Sequence, residues 1–259
     1  MRLLPFAAVL ALLLTHADTV AKARTLNAIE GTRTLRVGLT GDYAPYSQRA
    51  PDGSFRGADV VMAHALATAL GVTLEMVPTT WKTMAADLQA DRFDVAMGGV
   101  SVTPDRAAIG DFSITVLRDG KRPIVRCSDT ERYTSVAAIN RPDVRVVVNV
   151  GGTNERFAKA NFPHARLDVR DDNRTVFGEV ANNRADVMVT DGAEVDYQAR
   201  QHLGTLCAAR VPGPFDHFDK AYWMTRDGAL KEAVDRWLTK SLRAGDYDKA
   251  LAAAANERF

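Results

Sequence analysis

Residues 35–77, LRVGLTGDYAPYSQRAPDGSFRGADVVMAHALATALGVTLEMV, decide the fold. Leu35 to Leu39 reads as a strand that runs into the turn residues Thr40-Gly41-Asp42. Ala58 to Leu70 reads as a helix and stops at Gly71, which ends helices because glycine adopts left-handed backbone without steric cost. Val72 to Val77 reads as a second strand. Strand, helix and strand in succession make a β-α-β unit, whose two strands run parallel.

Working outward, Trp81 to Ala90 continues as a helix and Phe93 to Met97 as a third strand, followed by the loop Gly98-Gly99-Val100-Ser101. A second, similar series begins with the strand Val144 to Val148 and the loop Asn149 to Thr153. It goes on through a helix Asn154 to Asn161, a strand Ala165 to Val169, a helix from about Thr175 to Asn183, a strand Asp186 to Thr190 and a helix starting near Asp191. The chain returns through a strand Lys220 to Met224 and an amphipathic helix Ala229 to Ala244. Two such series imply an α/β protein of two lobes, each a mixed, mostly parallel sheet flanked by helices. The expected division is 24–118 plus 216–259 for lobe one and 119–215 for an inserted lobe two, with hinges near 117–121 and 211–218. Ligands of open α/β sheets settle beyond the carboxyl ends of the strands. The loops after Leu39, Met97, Val148 and Thr190 should therefore face one cleft.

The N-terminus carries Arg2, an apolar run Leu3 to Leu14, and Ala21-Lys22-Ala23, a small-x-small site that a signal peptidase accepts. The run is near a dozen residues where a membrane span needs about 20, so residues 1–23 are expected to be a cleaved signal peptide and not an anchor. The mature protein is then expected to be soluble and periplasmic, without stable membrane contact. The full chain's 33 basic and 32 acidic residues are scattered, which removes any general attraction to nucleic acid; a preference for anions must come from a local site. Cys127 and Cys207 are the two cysteines of an exported chain. A disulfide between them is the favoured reading, two buried thiols the other. No zinc-like spacing accompanies either, the five histidines show no ligand pattern, and neither a Ser-His-Asp grouping nor a phosphate-binding glycine motif stands out.

RVGLTGDYAPYS (36–47), GADV (57–60), DRFDVAM (91–97) and SVTPDR (101–106) together resemble the family-3 periplasmic solute-binding proteins that carry polar amino acids. Within that family, TGDY (40–43), VPTTW (77–81), LRDGK (117–121), NVGGTNE (149–155), TDGAE (190–194) and KAY (220–222) are similar to one branch, the periplasmic cyclohexadienyl dehydratases, which both cysteine positions also fit. The resemblance implies a carbon–oxygen lyase of phenylalanine formation that needs no cofactor. Its substrates would be small anionic metabolites: prephenate, converted to phenylpyruvate, and arogenate, converted to phenylalanine. The alternative is a non-catalytic receptor that delivers an amino acid to an ABC transporter.

The resemblance also implies roles for particular residues. Ser101 and Arg106 would grip a carboxylate from lobe one, for which a planar guanidinium is well shaped; an ordinary helix start with a solvated Arg106 is the plainer reading. Thr153 would meet the same carboxylate from lobe two, or simply cap its helix. Asn149 is a candidate donor to the ligand, Lys121 a cation that orients a dianion, Asp42 a partner for the ring hydroxyl and Trp81 a wall for the ring. Tyr43 and Lys220 carry less weight. Asp191 matches the position that holds an ammonium group in transport relatives. Glu194 is the expected general acid, since expelling a ring hydroxyl needs a proton from a carboxyl that stays neutral near neutral pH. The competing local reading is a capping box, with Asp191 as N-cap and Glu194 reaching back from the third helical position.

Overall fold

The structure, a computed structural model, describes residues 24–257; the expected signal peptide lies outside them. Two five-stranded sheets form the body of the molecule, beside a two-stranded ribbon and a small three-stranded sheet of Asp42–Tyr43, Ser47–Arg49 and Phe55–Arg56. In the first, Thr73–Pro78, Thr34–Leu39 and Val95–Ala96 run parallel, and Trp223–Met224 then pairs antiparallel with both Val95–Ala96 and Asp111–Phe112. The second repeats the plan: Arg166–Arg170, Arg145–Asn149 and Val187–Asp191 run parallel, and Lys121–Arg126 lies antiparallel between Val187–Asp191 and the edge strand Leu206–Ala208. Each lobe is thus a mixed sheet flanked by helices, as the alternation of segments predicts. Where the chain crosses between the sheets, Leu117–Asp119 and Phe218–Lys220 pair as a short antiparallel ribbon.

Each lobe has its own apolar core. Leu35, Val37 and Leu39 pack under the helices Ala58–Leu70 and Gly228–Arg243 through Leu66, Leu230, Val234 and Leu238; Val146, Val148, Val187 and Val189 pack under Phe177, Val180 and Val195 in the other lobe. The helix Ala58–Leu70 starts at Gly57, whose φ of 120° and closeness to the Tyr46 carbonyl, 2.4 Å from where a Cβ would sit, admit only glycine. It ends at Gly71 in the left-handed conformation.

Three segments depart from the sequence reading for local reasons. The helix expected from Trp81 begins at Met84, because Thr83 N donates to Thr80 Oγ1 and holds residues 81–83 in a turn. The strand expected over Phe93–Met97 is reduced to Val95–Ala96: the Asp94 carboxylate receives the Arg36 amide and the guanidinium groups of Arg24 and Arg36. The strand expected over Lys220–Met224 is split, its first part serving the crossing ribbon and its second the first sheet.

Cys127 and Cys207 form a disulfide that ties the end of Lys121–Arg126 to the edge strand. Among the described residues no helix is long and apolar enough to cross a membrane, and no cluster of His, Cys, Asp and Glu could hold a metal ion.

Candidate active site

Residues from the loops that follow the strands of both sheets meet in one place. Tyr43, Trp81, Gly99, Ser101, Asn149, Thr153 and Asp191 all line a cavity of about 10 Å³ between the lobes. Ser101 is buried, and its hydroxyl accepts from Lys220 Nζ at 3.1 Å. Arg106 lies on the helix Pro104–Ile109, capped by Thr103, and turns inward. Its Nη1 donates to the Ser101 carbonyl at 2.8 Å, its guanidinium lies 5.8 Å from the Trp81 ring centroid, and the residue is 8% exposed. A solvated surface arginine is therefore excluded. Burial, with a lesser contribution from Arg156, pushes its pKa down to about 10.

Thr153 opens the helix Thr153–Asn161 with Gly152, and not Thr153 itself, at the cap position; its hydroxyl accepts from Lys121 Nζ at 3.0 Å. Asn149 ends its strand, buried, with Oδ1 accepting from Asn154 Nδ2 at 3.2 Å. Trp81 Nε1 donates to Asp42 Oδ1 at 3.0 Å, and its ring meets Tyr43 edge-on at 5.3 Å. Asp42 therefore faces the indole in this state of the cleft, and burial raises its pKa.

Asp191 neither caps its helix nor stands ready for an ammonium group. One carboxylate oxygen is bonded by Lys121 Nζ; the other receives Lys220 Nζ at 2.5 Å and the Tyr43 hydroxyl. Although burial opposes ionisation, these two lysines hold its carboxyl far below the usual range. Lys121 is itself buried and is engaged by Asp191, Thr153 and Asn154, the last at 2.5 Å, instead of by Glu194. Its charge is thereby spent beside Asp191 and does not directly draw out the proton of Glu194.

The cap of the helix Gly192–Gln201 comes from the ribbon where the chain crosses between the sheets. Asp119 accepts from Gly192 N at 2.9 Å and from Ala193 N at 3.2 Å, close enough that a Cβ on residue 192 would sit 2.7 Å from Asp119 Oδ1. Gly192 is thus what this acid requires for its approach. The capping-box reading fails on both residues.

Glu194, in the first turn of that helix, has no exposed surface. Oε2 accepts from Thr190 Oγ1 at 2.5 Å and Oε1 from Asn173 Nδ2 at 2.7 Å. Burial pushes its pKa well above the ordinary carboxyl value, Asp191 and Asp42 add to the shift, and the bonds from Thr190 and Asn173 offset only part of it. The two neighbouring acids are pushed in opposite directions, Glu194 up and Asp191 down, because only Asp191 has lysines.

Sequence reasoning missed Asn173 and Thr190, and gave Lys220 and Tyr43 too little weight. An asparagine at a helix start and a threonine in a strand look like ordinary local choices. Thr190, Lys220 and Tyr43 did carry a signal, as members of the quoted strings TDGAE, KAY and TGDY, whereas Asn173 lay in none of them.

Residues 35–254 match the model of bacterial extracellular solute-binding proteins, family 3, so the chain belongs to that family. Among characterised relatives it is similar to the cyclohexadienyl dehydratase of Pseudomonas aeruginosa, 44% identical over 233 residues that cover 90% of this chain and 87% of the relative. Among solved structures it is similar to an ancestral amino acid-binding protein described as a precursor of cyclohexadienyl dehydratase, with a TM-score of 0.81, 34% identity and coverage of 89% and 99% of the two chains. It is also similar to an ancestral cyclohexadienyl dehydratase, 46% identical with a TM-score of 0.56 over 93% and 100% of the chains.

Proposed function

We propose that this protein is a periplasmic cyclohexadienyl dehydratase that converts prephenate to phenylpyruvate, carbon dioxide and water, with Glu194 as the general acid. The observation that carries the reading is a wholly buried glutamic acid whose pKa burial pushes well above the ordinary carboxyl value, three residues along the chain from Asp191, which lines the cavity between the lobes. Arg106, Lys121 and Lys220 are buried there, both lysines bonded to Asp191, and three cations so placed suit a substrate with two carboxylates. The similarity to the Pseudomonas aeruginosa enzyme supports the same reading.

Ser101, Arg106 and the start of the helix Thr153–Asn161 would hold the side-chain carboxylate, placing the ring hydroxyl toward Glu194. The electron pair of the bond to the ring carboxylate moves into the ring as carbon dioxide leaves, and the ring expels its hydroxyl as that oxygen takes the Glu194 proton. The ring becomes aromatic, which supplies the driving force. The protein has to position the substrate, exclude water and deliver one proton, which Glu194 regains from solvent when the cleft opens.

Opening is required, since 10 Å³ cannot hold a substrate and small-molecule pockets run to roughly 300–1,000 Å³. A receptor for an amino acid would need Asp191 available to an ammonium group, and Lys121, Lys220 and Tyr43 occupy it. The test is to mix the purified protein with prephenate and follow phenylpyruvate without added metal or cofactor. Tight retention of an amino acid with no phenylpyruvate formed would refute the enzyme.

A further inference from the structure

Asn173 opens the helix Asn173–Ala181 of the second lobe and is 1% exposed. Its Nδ2 makes two hydrogen bonds: to the backbone carbonyl of Asp42, in the first lobe, at 3.0 Å, and to Glu194 Oε1 at 2.7 Å. Its Oδ1 is buried without a hydrogen-bond partner among the described residues. The two ends of a side-chain amide are chemical opposites, one only donating and the other only accepting, and a backbone carbonyl only accepts. With the lobes shut, Asp42 therefore fixes which way the amide faces and turns an N–H onto Glu194. With the lobes apart that constraint is gone. A neutral Glu194 then has a proton to offer and Asn173 a buried oxygen to receive it, so the amide gains by turning over.

We propose that Asn173 is a positioning residue that couples lobe closure to the acid: docking on the Asp42 carbonyl turns its N–H toward Glu194 Oε1, which leaves the carboxylic proton free to face the cleft. This rests on the reading of Glu194 as the general acid. Before closure the proton is held by Asn173 in a self-satisfied pair; after closure Oε1 accepts from Asn173, the proton sits on Oε2 beside Thr190 Oγ1, and the substrate hydroxyl takes it from there. Glu194 stays neutral throughout, and no covalent bond changes until the substrate is in place. The acid is thereby presented once the cleft has shut and water has been expelled.

The charged and titratable groups that face Glu194 are Asp191, with Lys121 and Lys220 paired to it, and Asp42 and Tyr43 from the first lobe. All of them are retained in the test, which follows kcat and KM for prephenate against pH in the wild type, Asn173→Ala, Asn173→Ser and Glu194→Gln. The Asn173 variants are expected to lose roughly 10- to 100-fold in kcat with KM little changed. Their alkaline limb should move to higher pH, because a donor that favours the charged acid has been removed. A merely structural defect would lower the active fraction and leave the limb in place. Asn173 variants with wild-type kcat and limb beside an inactive Glu194→Gln overturn the proposal, whereas wild-type turnover by Glu194→Gln refutes the acid itself and this inference with it.

Unmodified protein gives a second check, in which Glu194→Gln serves only to assign a band. Infrared difference spectra on adding phenylpyruvate should show the neutral Glu194 C=O band, identified by its loss in Glu194→Gln, shifting as the lobes close. A band in the same place with and without phenylpyruvate overturns the coupling.

Discussion

Asp191→Asn removes the anion between two buried lysines, and its effect can be worked from the contacts. Of the three partners of Asp191, Lys121 belongs to its own lobe, while Lys220 and Tyr43 reach it from the other side of the cleft. Removing one partner of a buried ion pair costs about 3–5 kcal/mol, because the charge left behind is uncompensated. For a domain of about 150–250 residues each kcal/mol moves Tm by about 2–4 °C, so the variant should melt about 6–20 °C below the wild type near neutral pH. Its lobes should also part, since opening hydrates Lys121 and Lys220, and the relief this brings puts the drop in Tm toward the lower end of that range. Thermal unfolding by circular dichroism reads the first effect, and the radius of gyration from small-angle X-ray scattering reads the second. The Asp191 carboxyl has a lowered pKa, so the stability it supplies is present above the ordinary aspartate value of about 3.9 and is lost as pH falls toward its folded value. The gap between variant and wild type should accordingly persist down to about pH 4 and shrink below it. A variant with unchanged Tm and scattering profile would show that the Lys121–Asp191–Lys220 group does not hold the lobes together.

Glu194 runs the opposite way: its raised pKa means that folded protein retains a proton that unfolded chain has lost, so its stabilising share, full below about pH 4.3, drains away as pH rises toward the folded value. Glu194→Gln should therefore melt above the wild type at neutral pH, by a margin that grows with pH; equal Tm values from pH 5 to 8 would contradict a neutral buried acid. With Asp191 taken by two lysines, the ammonium group of arogenate meets like charge, and kcat/KM should favour prephenate by about tenfold or more; parity between the two in competition assays would refute that reading of the charges. Replacing both Cys127 and Cys207 by serine opens a link across 80 residues of sequence, for which loop-closure entropy predicts a loss of about 4 kcal/mol in denaturant titrations. Turnover of prephenate should be retained in that variant, because the bridge lies at the end of Lys121–Arg126 remote from the cleft, about 20 Å from Lys121.

Helices and strands were legible where burial is periodic and the stops are glycines, as in Ala58–Leu70 with Gly71 behind it. They were not legible where side chains override the backbone pattern, as at Asp94, whose carboxylate takes an amide and two guanidinium groups. The site divides the same way. Glu194 and Asp191 could be singled out from a local string, yet the spacing that suggested a capping box misled, because the true cap, Asp119, lies 73 residues away from Gly192. What separates the two acids is equally non-local: Asp191 meets Lys121, Lys220 and Tyr43 across 70, 29 and 148 residues of chain, and Glu194 meets none of them as an ion pair. Asn173 was invisible for the same reason, since its partner in the first lobe is a backbone carbonyl 131 residues away and backbone carbonyls leave no mark on a sequence.

Everything turns on whether Glu194 gives up a proton to the substrate. The direct measurement is phenylpyruvate release from prephenate at pH 7 by the wild type and Glu194→Gln side by side, with both shown to bind the product. Loss of a general acid predicts a fall in kcat of about 10²–10⁴-fold with binding preserved; a glutamine variant that turns over prephenate at the wild-type rate would contradict the account.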